Sequence, residues 1–278
     1  MKPASAPSTG VAETSPARRE AALRLAGQDL VVGYDDRTVI DGLSVDIPSG
    51  QLTVIIGPNA CGKSTLLRTL GRLLKPRGGS VLLDGELLHE LPPRRVAQRL
   101  GVLPQSPLVP EGVTVADLVA RGRQPHQRWW QQWSPADQEA VQAALADADI
   151  TELADRPVEA LSGGQRQRVW IAMALAQQTE ALLLDEPTTF LDVAHQVEVL
   201  RLMRRLQQGG RTVVAVLHEL NQAARYADHV IAMKHGRIVA SGPPADVITA
   251  PLITEVFALA CTVIPCPLTA TPLVIPNP

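Results

Sequence analysis

The sequence predicts an α/β fold: a mostly parallel sheet core with helices on both faces, an antiparallel β subdomain and a helical insertion subdomain. Three observations carry this. The β-branched run Leu52-Thr53-Val54-Ile55-Ile56 passes through a short glycine-containing loop straight into the helical spacing Leu66, Leu67, Leu70, Leu73, Leu74. Two further apolar runs, at 181–184 and 211–217, are each followed by a helical pattern, and strands alternating with helices imply parallel pairing. Between about 106 and 170 the helical character dominates, and the α/β pattern then resumes.

The elements follow in order. Leu30-Val31-Val32 reads as a strand ending in a turn, Val39-Ile40 and the alternating Leu43-Ser44-Val45-Asp46-Ile47 as further strand, and Pro48-Ser49-Gly50 as the turn before 52–56. Lys75-Pro76-Arg77-Gly78-Gly79 breaks the first helix, and 80–85 reads as a hairpin. A short apolar run at 100–103 closes on Pro104-Gln105. Helices are expected at 115–121 and 136–148, with Trp129, Trp130 and Trp133 between them as packing residues. A helix opens at 161–165, the strand 181–184 ends in Asp185-Glu186, and a helix covers 195–207. The strand at 211–217 ends at His218, a helix covers 221–227, and a hairpin turns around Gly236. A short helix at 251–260 and a proline-rich end with one strand pair complete the chain.

With 278 residues the chain can bury a substantial core, and 45% apolar with 19% charged residues is ordinary globular composition. A net charge of −2 argues against a nucleic-acid-coating protein. Three cysteines, Cys61, Cys261 and Cys266, make no disulfide framework and favour a reducing compartment. Residues 1–22 are rich in Pro, Ala, Ser and Thr without an apolar segment, and read as a disordered tail rather than a signal peptide. No run of 18 apolar residues occurs, so a membrane role requires a partner that crosses.

The chemistry starts at Gly57-Pro58-Asn59-Ala60-Cys61-Gly62-Lys63-Ser64-Thr65. The pattern G-x-x-x-x-G-K-[ST] between strand and helix is a phosphate-binding loop, whose backbone N–H groups and helix N-terminus converge on phosphate oxygens. Lys63 is placed to reach the β- and γ-phosphates and Ser64 to take one Mg²⁺ position. In open parallel sheets ligands bind beyond the carboxyl ends of strands. The loop after Ile56, the carboxylates after Leu184 and His218 after the strand at 211–217 all stand at such ends. Two adjacent carboxylates are costly unless metal or water satisfies them, and strand alternation is expected to point Asp185 and Glu186 in different directions.

Leu161-Ser162-Gly163-Gly164-Gln165 would arise by chance in about one chain in several thousand. With the phosphate loop before it and Asp185-Glu186 after it, the chain resembles the ABC (ATP-binding cassette) ATPases from about residue 23 to 260. The resemblance implies an ATP-binding domain at 23–260, with a helical subdomain at about 106–170 carrying the signature, and a C-terminal extension at 261–278. It implies ATP and Mg²⁺ as cofactors, with ATP bound by residues 57–65 and by Tyr34 stacking on adenine. Glu186 then polarises the attacking water, His218 contacts the γ-phosphate, and Gln105 approaches water and metal. Ser64, Gln105 and Asp185 are the metal-side residues, and Asp192 is the D-loop aspartate. Ser162, Gly163, Gly164 and Gln165 are implied to act on the ATP of a second subunit in a homodimer. Three residues depart from the common pattern. Ala60 stands where glycine is frequent and costs about 1 kcal/mol if its φ is positive. Phe190 is large for its place, and Glu219 replaces a frequent Asp. Cys61, if exposed beside the phosphates, predicts inactivation by alkylation with protection by ATP.

The segments Arg121-Gly122-Arg123-Gln124-Pro125-His126-Gln127, 150–156, 165–173, 188–192 and 217–223 are similar to ATPases of bacterial ferric-siderophore importers. The resemblance implies an integral membrane permease, a periplasmic or lipoprotein substrate-binding protein, no nucleic-acid partner, and a peripheral place on the cytoplasmic face of the cell membrane. Vitamin B12 or haem import stays open, as does a soluble ABC ATPase acting on DNA or ribosomes. The latter usually has two cassettes or a long coiled-coil insertion. A P-loop kinase would leave 161–165 unexplained. His89, His126, His195, His229 and His235 lack paired metal spacing and read as surface or packing residues.

Overall fold

The computed structural model describes residues 23–105, 112–127 and 133–278. Two long strands, β1 (Leu25–Tyr34) and β2 (Arg37–Ile47), form one antiparallel hairpin. With β4 (Gly78–Leu83) and β5 (Glu86–Leu87) they make a four-stranded sheet of order β2-β1-β4-β5. The strand residues expected at 39–40 and 43–47 belong to one continuous strand. The alternation breaks because the register shifts between Leu30↔Leu43 and Val32↔Ile40, next to Gly42 at φ 68°. That is a bulge, which interrupts the pattern without ending the strand. The β4–β5 turn uses Asp84 and Gly85, both at positive φ, as two-residue hairpins favour.

The second sheet has six strands in the order β10-β9-β3-β8-β7-β6. Here β3 is Leu52–Ile56, β6 Leu100–Leu103, β7 Ala181–Leu184, β8 Thr212–Val216, β9 His229–Lys234 and β10 Arg237–Gly242. All pairings are parallel except β9 with β10. Leu52, Val54 and Ile56 of β3 face one hydrophobic core, and Ile55 faces the other. Burial on both faces is why β3 reads as an unbroken apolar run instead of an alternating one. Each such Leu or Ile contributes about 1.5–3 kcal/mol.

Helix α1 (Lys63–Leu70) sits in the core beneath the antiparallel sheet, and α2 (Pro93–Ala97) precedes β6. The helical insertion consists of α3 (Val115–Ala120), α4 (Pro135–Asp147) and α5 (Gly163–Ala176), which pack on the other core. The helix expected to reach residue 121 ends at Ala120, and a 3-10 turn at Arg121–Arg123 follows. That turn is pinned by a buried ion pair. Arg123 Nε donates to Asp137 Oδ1 at 2.8 Å, and its Nη1 donates to the carbonyl of Ala176 at 2.7 Å. One side chain thereby joins the start of α4 to the end of α5. Trp129 and Trp130 lie outside the described residues; Trp133 is 46% exposed and so is not core packing.

Helices α6 (Val193–Gln208), α7 (Leu220–Tyr226), α8 (Pro244–Val247) and α9 (Ala250–Phe257) complete the core, and β11 (Cys261–Pro265) pairs with β12 (Pro272–Pro276). That hairpin is the strand pair expected at the end of the chain. Asn221 on α7 holds it, donating to the Val274 carbonyl at 3.2 Å and accepting from the Val274 N–H at 2.7 Å. No helix among the described residues is long and apolar enough to cross a membrane.

Candidate active site

A cleft of about 940 Å³ opens where β3, β6, β7 and β8 present their carboxyl ends. Its lining includes Tyr34, Lys63, Ser64, Gln105, Glu186 and His218. Four of the five segments that meet there follow parallel strands, which all discharge their loops at one edge, and the fifth is the β1–β2 hairpin of the antiparallel sheet, which brings Tyr34 and Arg37.

The loop at 57–65 is folded tightly enough to dictate its small residues. A Cβ on Gly57 would stand 2.3 Å from the Met233 carbonyl oxygen, so no other residue fits. Gly62 caps α1 at φ 106°, where glycine alone is unstrained. Ala60 takes φ 59°, so the condition attached to it in the sequence holds. Lys63 is 5% exposed, and its Nζ donates to the carbonyls of Gly57 (2.8 Å) and Pro58 (2.9 Å). An ammonium carries three N–H donors, so one remains. Asn59, Ala60, Gly62, Ser64 and Thr65 also line the cleft.

Cys61 does not. It is 3% exposed with its sulfur against Gly57, and burial pushes its thiol pKa up. The expected sensitivity of an exposed Cys61 to alkylation therefore fails: the side chain turns into the core and leaves its backbone in the loop.

Asp185 and Glu186 diverge as anticipated, but the strand pleat is not what separates them. Strand β7 ends at Leu184, and Glu186 adopts φ 54°, which swings it away from its neighbour. Asp185 is 2% exposed; its Oδ1 accepts from Ser64 Oγ at 2.7 Å, and its Oδ2 lies 3.4 Å from Arg68 Nε. Glu186 lies in a different cluster. Gln105 Nε2 donates to its Oε2 at 2.5 Å, Thr189 Oγ1 reaches the same oxygen at 3.3 Å, and His218 Nε2 is 2.8 Å from its Oε1. Gln105 thus sits with Glu186 and His218 rather than with Ser64 and Asp185.

The residues present fit a hard divalent cation. Asp185 Oδ2 is a buried oxygen that makes no hydrogen bond, its one charged neighbour being Arg68 at 3.4 Å, and the Ser64 hydroxyl beside Oδ1 is a second oxygen ligand. Among the described residues no group of three or more His, Cys, Asp and Glu is arranged to hold a metal ion by itself. A cation held here must complete its shell with phosphate oxygens and water, as Mg²⁺ commonly does.

The signature residues do not line this cleft. Ser162 and Gly163 are exposed at the start of α5, where Ser162 Oγ accepts from Gln165 N at 3.3 Å and Gln165 Oε1 accepts from Ser162 N at 3.1 Å. This capping box satisfies the N–H groups of Ser162 and Gln165 and does not use those of Gly163 and Gly164. Asp192 is exposed too, as the N-cap of α6.

Residues 40–189, more than half of the chain, match the family model described as ABC transporter. The chain belongs to that family. It is 52% identical over 258 residues to the ferric enterobactin transport ATP-binding protein of Escherichia coli, covering 92% of this chain and 95% of that one. It is 42% identical over 266 residues to a hemin import ATP-binding protein of Rhodococcus jostii, covering 94% and 89%. A solved metal-chelate type ABC transporter in an inward-facing conformation superposes with a TM-score of 0.79 at 29% identity, over 93% of this chain and 98% of that one. As a member of this family the chain binds ATP and is an ATPase.

Four residues with a place in this geometry were given no functional role from the sequence, His195 having been read as a surface or packing residue. Arg37 lines the cleft beside Tyr34. Arg68 meets Asp185, and its spacing of four from Ser64 on one helix was a usable signal. Thr189 reaches Glu186, and His195 bonds to Asp192. The last two had no signal beyond proximity to 185–192.

Proposed function

We propose that this chain is the ATP-hydrolysing subunit of a membrane importer for ferric siderophores. The observation that carries the cargo is its 52% identity across 95% of the ferric enterobactin transport ATP-binding protein, against 42% to the hemin import protein. It works as a homodimer at the cytoplasmic face of the membrane, bound to an integral permease that receives cargo from a periplasmic or lipoprotein binding protein. The ATP-binding domain spans 23–260, its helical subdomain about 106–170.

Phosphoryl transfer to water requires positioning and charge neutralisation more than covalent help. Tyr34 stacks on the adenine, and the loop 57–65 holds the phosphates with its amides, the α1 dipole and Lys63. Ser64 and Asp185 would hold Mg²⁺, which would supply neutralisation of phosphate charge, while Gln105 stands with Glu186 on the side of the attacking water. Glu186 accepts a hydrogen bond from the attacking water and orients it, a role worth about 10²–10⁴ in rate. The proximity of His218 to Glu186, at 2.8 Å, supports a paired function in which His218 holds the γ-phosphate while Glu186 faces the water. Ser162, Gly163, Gly164 and Gln165 act on the second subunit's nucleotide, with Asp192 beside them at the seam. The exposed capped start of α5 supports this, since an uncovered helix N-terminus suits an anion brought from outside.

Uptake of labelled ferric siderophore by cells carrying Lys63→Ala tests the cargo. Uptake should fall to background while haem uptake is unchanged. Undiminished siderophore uptake in cells with no second ATPase for the same permease defeats the assignment.

A further inference from the structure

The signature contains two adjacent glycines, and the fold treats them differently. A Cβ on Gly163 would meet nothing within 4 Å. A Cβ on Gly164 would stand 2.6 Å from Cδ2 and 2.7 Å from Cγ of His195, closer than real contacts allow. Neither glycine has a positive φ, so backbone conformation does not demand them. What demands Gly164 is the imidazole ring.

That ring is held from its other side. His195 Nδ1 lies 2.8 Å from Asp192 Oδ1, and the same oxygen accepts the His195 backbone N–H at 3.0 Å as the N-cap of α6. These hydrogen bonds from His195 hold the Asp192 carboxyl below its ordinary pKa. Turning the ring away from Gly164 would break one of the two bonds that seat Asp192. Ring, cap and glycine are therefore one unit, although Gly164 and Asp192 lie on different helices.

We propose that His195 is a positioning residue: it ties the Asp192 turn to the first turn of α5, so that both segments meet the opposite subunit in fixed register. The inference rests on the dimer reading above. A histidine that only filled space would be replaceable by any ring of similar size. A tether requires both the ring against Gly164 and the nitrogen on Asp192.

The test uses the full-length chain carrying Glu186→Gln, with ATP-driven dimerisation followed by light scattering and nucleotide affinity by a fluorescent ATP analogue. His195→Phe keeps a ring and loses the Asp192 bond. It should weaken dimerisation at least tenfold while analogue affinity changes less than twofold. Gly164→Ala should weaken it similarly, and adding His195→Ala should not restore it, because the bond to Asp192 is then lost as well. Dimerisation unchanged in His195→Phe, or a double variant restored to the level of the parent, overturns the tether. If the Glu186→Gln parent itself stays monomeric with ATP, the dimer reading is what fails. The tether is then decided by amide hydrogen exchange in the nucleotide-free monomer. Exchange at 163–166 should quicken at least fivefold in His195→Phe with the rest of the chain unchanged, and unaltered exchange there refutes it.

Discussion

His218 Nε2 and Glu186 Oε1 stand 2.8 Å apart, although 32 positions separate them in the sequence and each closes a different strand of the parallel sheet. The contact exists because β7 and β8 are adjacent and in register, Leu184 opposite Ala215. It gives Glu186 two partners besides Thr189, with Gln105 on its other oxygen.

Removing the Glu186 carboxylate should stop the chemistry and spare binding. Glu186→Gln should lower kcat by about 10²–10⁴ with ATP affinity kept. Single-turnover hydrolysis alongside equilibrium nucleotide binding checks both halves; parallel losses in the two would count against a hydrolytic role.

Relieving strain at Ala60 should stabilise the fold. Its φ of 59° places a Cβ where the left-handed conformation costs about 1–2 kcal/mol, partly offset by the greater freedom of glycine in the unfolded chain. Ala60→Gly should gain about 0.5–1 kcal/mol, a rise of roughly 1–4 °C in Tm by calorimetry.

The cysteines should react in a definite order. Hydrogen bonding from Thr269 lowers the thiol pKa of Cys266, which is only partly buried, whereas Cys61 is buried and its pKa is raised. The thiolate is the reactive form, so iodoacetamide at mildly alkaline pH should label Cys266 first and leave Cys61 intact until unfolding. Peptide mapping over time reads the order, and early labelling of Cys61 would contradict its burial.

Breaking the Arg123–Asp137 pair should loosen the helical insertion. Both side chains are over 90% buried, and a lone buried charge costs about 3–5 kcal/mol. Asp137→Ala should lower the denaturant midpoint accordingly, whereas Lys63→Ala, which breaks no ion pair, should shift it much less. Urea titration of the three proteins decides.

The sequence by itself determined the phosphate loop, the strand-end positions of Asp185, Glu186 and His218, and the parallel core. Those features are written in local patterns: an apolar run, a glycine spacing, a strand followed by a helix. The antiparallel hairpin was only half legible, because a bulge at Gly42 breaks the period by which strands are recognised. Tertiary structure alone decided which groups touch. Arg68 on Asp185, the inward turn of Cys61, the association of Gln105 with Glu186, and the ring of His195 against Gly164 all depend on packing between distant segments. A sequence pattern fixes a residue's face on its own element. Its partner is fixed only when the elements pack and the sheet order sets which strand ends are neighbours.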